Sequence, residues 1–399
     1  MTGGRARLTF LGTGTSQGVP IIGCKCEVCR SKDERDKRFR ASALVEYEGL
    51  TILVDAGPDF RMQMLRLGIS HLDAILLTHN HKDHTGGLDD VRSLNYVDRR
   101  AAEIYCERSV LEDLIREYPY VFKFPKYPGA PEWMLHVIDE RPFIIRKDSS
   151  DKELVWVHDV GYHYRLPDGQ LIPTARSLKD MIDEAELWRP EAGSGSPDSS
   201  LRSAPPTRSA SGPLPLTSRG WLRSGLARPA SGPQIESNAM ISDGGQGPEC
   251  AGADIYPDRA RSAGSPGAFS GLAAKTDEDQ VTIIPIRGLH DRLPVLGFRF
   301  GDIAYITDMS SIPESEFAKL EGLKHLTLNT VSYNTHHSHF SLQETLDLAD
   351  RIRPQFTWLT HLSHSFPVHE KFSQELKRLC AERNIHSVVQ PAYDGLVIE

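Results

Sequence analysis

Residues 76–90, LLTHNHKDHTGGLDD, place three histidines and an aspartate within positions 79–84, directly behind an apolar run. If AILLT is a buried strand, the loop at its C-terminal end can turn His79, His81, Asp83 and His84 toward one shared space. Imidazole and carboxylate donors suit Zn, Mn or Fe, and four such donors in so short a span suggest two metal ions rather than one. A solvated His-rich turn is the plain alternative. It accounts for an isolated H-x-H better than for a full H-x-H-x-D-H behind a strand.

Further donors for such a centre should also stand where strands end, and three candidates do: His290 closes VTIIPIRGLH, Asp308 closes IAYITD and His361 closes FTWLTH. Singly, each reads as easily as a turn former or cap. The recurrence of one pattern at three places favours a shared site. Asp55, closing TILVDAG, is expected to orient the donors rather than bind metal itself.

The surrounding texture sets the fold class. ARLTFLGTG, SALVEYEG, LTILVDAG and LDAILLTH make the first ninety residues a series of strands punctuated by turns. AEIYCE then predicts a strand and ERSVLEDLIREYPYVF a helix, followed by strands at LHVID, PFIIR and ELVWVHDVGYHYRL and a helix at RSLKDMIDEAELW. From about 189 to 278 the chain is rich in Ser, Gly, Pro, Ala and Arg, with hardly any periodic apolar pattern. Such a stretch buries too little surface to offset its ordering entropy, so a disordered insertion is expected. Strands return at VTIIPIRGLH, LPVLGFRFGDIAYITD, HLTLNTV and FTWLTHLSH, with helices at SLQETLDLADRI and EKFSQELKRLCAERN and a last strand in SVVQPAYDGLVIE. Two strand-rich halves with helices in each predict an α/β four-layer sandwich, one domain over 1–399 interrupted by the insertion.

The chain has 399 residues and a formal charge of −8, which argues against binding nucleic acid through overall charge. Of its six cysteines, Cys24, Cys26 and Cys29 cluster while Cys106, Cys250 and Cys380 are scattered, a usage that suits a reducing compartment and a thiolate metal site. MTGGRARLTFLGTG enters a strand almost at once and leaves no room for a leader, so a cytoplasmic location is expected. No window approaches eighteen continuous apolar residues, and no membrane span is expected.

The H-x-H-x-D-H tract, followed in order by a later His, an Asp after a strand and a final His, resembles the metallo-β-lactamase superfamily of dinuclear hydrolases, whose fold is an αββα sandwich. GTGTSQGVPIIGCKCEVC, LPVLGF, AYITD, LTHLSH and YDGL narrow the resemblance to the phosphoribosyl cyclic phosphodiesterase branch of the carbon–phosphorus lyase pathway and its uncharacterised relatives. The resemblance covers both halves of the chain and omits the insertion and the segment just before it. It implies that His79, His81 and His290 hold one divalent ion, Mn or Zn, that Asp83, His84 and His361 hold a second, and that Asp308 bridges them. It further implies a structural zinc on Cys24, Cys26, Cys29 and His364, a donor set that fits tetrahedral zinc on chemistry alone. A buried cluster of reduced thiols is the alternative for the cysteines.

The implied activity is metal-dependent hydrolysis of phosphodiester bonds in small phosphate esters, cyclic ones included, by a hydroxide bridging the two ions. Asp83 and His339 are the expected catalytic residues, with His339 of HHSHFSL as the proton donor to the leaving group. His336 and His337 are left outside the site. Arg92 could hold a phosphate or form a surface ion pair. The implied partner is a small-molecule substrate, and the reading admits a homodimer. Two rivals remain open: an RNA endonuclease resembling the enzymes that process tRNA 3′ ends, and a noncatalytic zinc-stapled scaffold. A third, the pyrroloquinoline quinone biosynthesis relative, shares the C-x-C-x-x-C loop but differs in the His79–His84 tract.

Overall fold

Tyr47 and Leu50 face each other across a two-residue turn in which Glu48 and Gly49 both take positive φ, 51° and 80°. Turns of that hand match the right-handed twist of the strands they join. The computed structural model describes residues 6–122, 127, 129–146, 153–157, 161–165, 171–173 and 280–399. In it β1 (Ala6–Gly12), β2 (Ser42–Tyr47) and β3 (Leu50–Val54) form an antiparallel meander. The strands β4 (Ala74–Leu76), β5 (Ala102–Cys106) and β6 (Trp133–Val137) extend it in parallel.

A second sheet begins with β7 (Phe143–Arg146). A separate antiparallel trio follows in the chain, β8 (Glu153–Val157), β9 (Gly161–Arg165) and β10 (Leu171–Pro173). The second sheet then resumes with β11 (Gln280–His290), β12 (Leu293–Phe300), β13 (Ile303–Tyr305), β14 (His325–Asn329), β15 (Phe356–Thr360) and β16 (Val388–Pro391). Its spatial order is β16-β15-β14-β13-β12-β11-β7, and the four strands from β13 to β16 run parallel. The last strand, β17 (Val397–Ile398), returns to the first sheet beside β1.

Alternation along the strands builds the layers. Ala43, Val45, Ile52, Val54 and Leu76 point between the sheets, where they meet Ile283, Leu296, Phe298, Phe300 and Tyr305. Their sequence neighbours Leu44, Leu53 and Ile75 point the other way, under α2 (Phe60–Leu67) and α5 (Arg108–Glu117). Strands buried on both faces read as continuous apolar runs. Fully burying each such side chain stabilises the fold by roughly 1.5–3 kcal/mol. On the second sheet's outer face Leu326 and Leu328 lie in one cluster, and Leu359 packs with residues of α7 (Leu342–Ile352) and α8 (His369–Arg383) in another. The result is the expected four-layer sandwich.

Several elements differ from expectation, among them α4 (Arg92–Asp98), which stands where no element was predicted. The helix α2 stands where only strands and turns were predicted; it ends on Gly68 at φ 66°, whose N–H closes onto Leu65 and Met64 carbonyls. The helix predicted over 107–122 breaks, because Pro119 offers no N–H and restricts Tyr118; α5 stops at Glu117 and a short α6 (Pro119–Phe122) follows. The expected last strand divides at a turn containing Gly395 at φ 94°, leaving β16 in one sheet and β17 in the other. The helix expected at RSLKDMIDEAELW and the insertion at about 189–278 lie outside the described residues. No helix among the described residues is long and apolar enough to cross a membrane.

Candidate functional site

The parallel strands deliver their C-terminal ends to one edge of the sandwich. After β4 the chain passes through Leu77 and Thr78 into His79 and His81, then into a four-residue helix, α3 (Lys82–Thr85), which carries Asp83 and His84. Backbone hydrogen bonds pin this loop: Ala56 N–H donates to the His84 carbonyl and Gly87 N–H to the Ala56 carbonyl, each at 2.8 Å. Gly57 permits that approach, since a Cβ there would stand 2.0 Å from the Asp83 carbonyl oxygen. His290 ends β11, while Asp55, Asp308 and His361 lie just beyond β3, β13 and β15.

Asp55, Asp308 and His361 all take left-handed backbone, at φ 65°, 58° and 55°. For a residue with a Cβ this costs on the order of 1 kcal/mol each, and it persists only where surroundings hold it. Beside Asp308 the hold is visible. Asn329 accepts from Met309 N–H and donates to the Met309 carbonyl, both at 2.9 Å.

The donor atoms fall into overlapping groups. His79, His81 and His290 form one; Asp83, Asp308 and His361 form another; Asp308 also groups with His79 and His84 and with His290 and His339. Asp308 Oδ1 lies 3.0 Å from His361 Nε2, and Asp308 Oδ2 lies 3.4 Å from His84 Nε2. A carboxylate oxygen of Asp83 is also 3.4 Å from His84 Nε2. One aspartate thus faces both halves of the cluster.

Partners on the far side of three rings fix which nitrogen points inward. His84 Nδ1 lies 2.7 Å from Asp55 Oδ2, His290 Nδ1 lies 2.7 Å from the Ser338 carbonyl, and His79 Nδ1 lies 2.9 Å from Thr78 Oγ1. Thr78 Oγ1 donates to Asp55, so it accepts from His79. Each ring therefore keeps a proton on Nδ1 and turns Nε2 toward the centre, the arrangement metal-binding histidines use. Among the described residues, the buried Nε2 atoms of His79 and His84 and Nδ1 of His361 have no hydrogen-bond partner, while His361 Nε2 stands against the Asp308 carboxylate. Orphaned buried nitrogens beside carboxylates fit a divalent cation, which would satisfy lone pairs that the protein leaves unpaired.

The electrostatics agree. Burial holds His79 well below the ordinary histidine range. Burial also works against charge on His84, but Asp308 and Asp55 outweigh it and hold the ring well above that range. Asp308 is buried too, and its neighbours His361 and His84 overcome that burial to keep the carboxyl well below the usual carboxylate range. Negative potential gathered in a buried pocket is what a cation would relieve.

A second set lies at the loop after β1. His364 Nδ1 stands 3.3, 3.5 and 3.7 Å from the Sγ atoms of Cys24, Cys26 and Cys29. A tetrahedron with Zn–S of about 2.3 Å and Zn–N of about 2.1 Å has S···N edges of about 3.6 Å. The four residues fit a zinc ion. Cys26 caps a short helix, α1 (Glu27–Arg30), that carries Cys29, and the Cys29 N–H donates to Cys26 Sγ.

Every donor singled out in the sequence joins one of these clusters. His339 stands at the first, with Nε2 3.1 Å from Asp308 Oδ1. Burial pushes it down to about 4 against the pull of Asp308, below the range that made histidine the expected donor. Arg92 is turned to Asp89, 3.2 Å away, and takes the surface ion pair of its two readings. His337 stays exposed, but His336, set aside with it, has Nδ1 3.3 Å from His339 Nδ1. Ser338 and Thr78 carried no sequence signal; an ordinary hydroxyl or carbonyl gains its role only through where the fold aims it.

A family model for the beta-lactamase superfamily domain matches residues 51–146 and 269–362. An octanoyltransferase of Porphyromonas gingivalis is 28% identical over 392 residues, covering 98% of this chain and 51% of that protein. Coenzyme PQQ synthesis protein B of Methylococcus capsulatus is 29% identical over 139 residues, 31% of this chain and 44% of that relative. The chain spans about half the length of these curated relatives. Among solved structures, a diphosphatase from the PhnP family shares the fold, with a TM-score of 0.57 and 24% identity over 99% of this chain and 98% of that one.

Proposed function

The chain carries a metallo-β-lactamase superfamily hydrolase domain and resembles the PhnP branch, and from that premise we propose that it hydrolyses phosphodiester bonds in small phosphate esters, cyclic ones included, at a centre for two divalent cations. The observation that carries the reading is Asp308: one buried carboxylate shared by two donor groups, in which the buried Nε2 atoms of His79 and His84 lack a hydrogen-bond partner among the described residues. His79, His81 and His290 would hold one cation and Asp83, His84 and His361 the other, with Asp308 between them. Such cations supply Lewis acidity toward phosphoryl oxygens and lower the pKa of water toward neutrality.

The chain's own groups do the rest. Asp55, Thr78 and the Ser338 carbonyl hold the imidazoles in the tautomer that leaves Nε2 free. His339, with Nε2 3.1 Å from Asp308 Oδ1, would deliver a proton to the departing oxygen once the charge of a bound phosphate ester raises its proton affinity above the low value that burial imposes. Cys24, Cys26, Cys29 and His364 would hold a structural zinc that ties the loop after β1 to the segment after β15, contributing to folding rather than to turnover.

The test is a substrate comparison in the presence of Mn²⁺: ribose 1,2-cyclic phosphate, bis(p-nitrophenyl) phosphate and a labelled pre-tRNA. Turnover of the two small diesters with intact RNA is expected. Cleavage of the pre-tRNA with inert small diesters would replace this reading with an RNA endonuclease.

A further inference from the structure

Residues 336–339 make a tight turn that touches the centre twice. The Ser338 carbonyl lies 2.7 Å from His290 Nδ1, and the Ser338 hydroxyl lies 2.9 Å from His339 Nδ1. The turn is fastened from outside by His336, whose Nδ1 accepts from Ser338 N–H at 3.3 Å and lies 3.2 Å from Ser338 Oγ. An acceptor two residues ahead of the N–H it receives is the geometry an Asx turn uses to fix a loop. Because that N–H donates, His336 Nδ1 must be unprotonated and the other ring nitrogen, Nε2, must carry the hydrogen. Ser338 itself is buried and His336 half-buried, so the fastening atom lies at the rim of the site and the atoms it directs lie inside.

Resting on the reading of the centre given above, we propose that His336 is a positioning residue: by capping Ser338 through Nδ1 it aims the Ser338 carbonyl at His290 and the Ser338 hydroxyl at His339. It acts through Ser338 on one candidate metal donor and on the candidate proton donor at once. What the position requires is an acceptor placed where Nδ1 stands, and an asparagine Oδ1 reaches that place whereas a glutamine Oε1 extends past it.

The experiment compares His336→Ala, His336→Gln and His336→Asn with the wild-type chain in two readouts. One is cobalt(II) titration of the metal-stripped protein, followed by its visible absorption. The other is kcat on a diester with an alkyl leaving group against bis(p-nitrophenyl) phosphate, whose leaving group departs without needing a proton. In the Ala and Gln variants, cobalt binding is expected to weaken by about tenfold or more, and the alkyl ester is expected to lose more kcat than the p-nitrophenyl ester. The Asn variant restores both. Wild-type cobalt binding in His336→Ala, or an Asn variant as impaired as Ala, overturns the proposal. Equal loss on both esters overturns the part that concerns His339. A wild-type chain that turns over neither ester refutes the phosphodiesterase reading instead, and the cobalt comparison alone then decides the role of His336.

Discussion

Asp55 is fully buried, yet it sets His84: its Oδ2 holds Nδ1 at 2.7 Å while its Oδ1 accepts from Thr78 N–H. Asp55→Asn keeps the shape and removes the charge, and is expected to lower metal affinity about 10- to 100-fold, read by metal titration. A titration that superimposes on wild type would show that His84 is held without it. Asp394 carries a different prediction. It is buried and accepts from Thr13 Oγ1 at 2.7 Å and Phe39 N–H at 2.6 Å, but burial outweighs these donors and pushes its carboxyl up to about 7. A carboxyl raised above its unfolded value of about 4 binds its proton more tightly in the fold. Its contribution to stability is therefore full below about pH 4 and lost as the pH rises through about 7. Asp394→Asn should flatten that fall in unfolding free energy, by ~4 kcal/mol at most. Parallel denaturation profiles for the two proteins between about pH 4 and 8 would contradict it. At this scale the donors were legible because metal chemistry restricts them to few residue types in a recognisable spacing. Ser338 and Gly57 were not, since their roles depend on a backbone approach that no local pattern encodes.

The strands were legible because both of their faces are buried, which writes an unbroken apolar run into the sequence. α2 was missed because its buried residues, Phe60, Gln63 and Met64, include a polar side chain and leave Met62 and Leu65 exposed, blurring the helical stripe. α7, in contrast, announces itself: Ser341 and Glu344 form a reciprocal capping box at its start. Ser341→Ala is expected to cost about 1 kcal/mol of stability, measured by denaturant unfolding. The segment from His361 to His364 links the two clusters, and Leu362 N–H donates to the Thr13 carbonyl at 2.8 Å beside the cysteine loop. Cys26→Ala, by removing one donor of the four, should lower the melting temperature by roughly 5 °C or more. Turnover per active-site metal should stay near wild type. An unchanged melting temperature would mean that the cysteines and His364 do not staple the fold.

On the scale of the whole molecule, the sandwich was legible from the alternation of strand-rich and helical stretches in both halves. The path between the halves was not. Arg146 of β7 and Gln280 of β11 are direct partners across an antiparallel pair, so everything between them leaves and rejoins the second sheet at one place. Sequence reading treats residues far apart along the chain as far apart in space, and cannot see that closure. The central claim concerns the edge where the strands of both sheets end, and the most direct test is the turnover of bis(p-nitrophenyl) phosphate by metal-stripped protein as Mn²⁺ is added back, with Asp83→Ala alongside. The account predicts activity that rises only as the cations bind, and an Asp83→Ala chain that stays folded but is at least about 100-fold slower. Turnover by the stripped protein, or an Asp83→Ala variant as active as wild type, would contradict it.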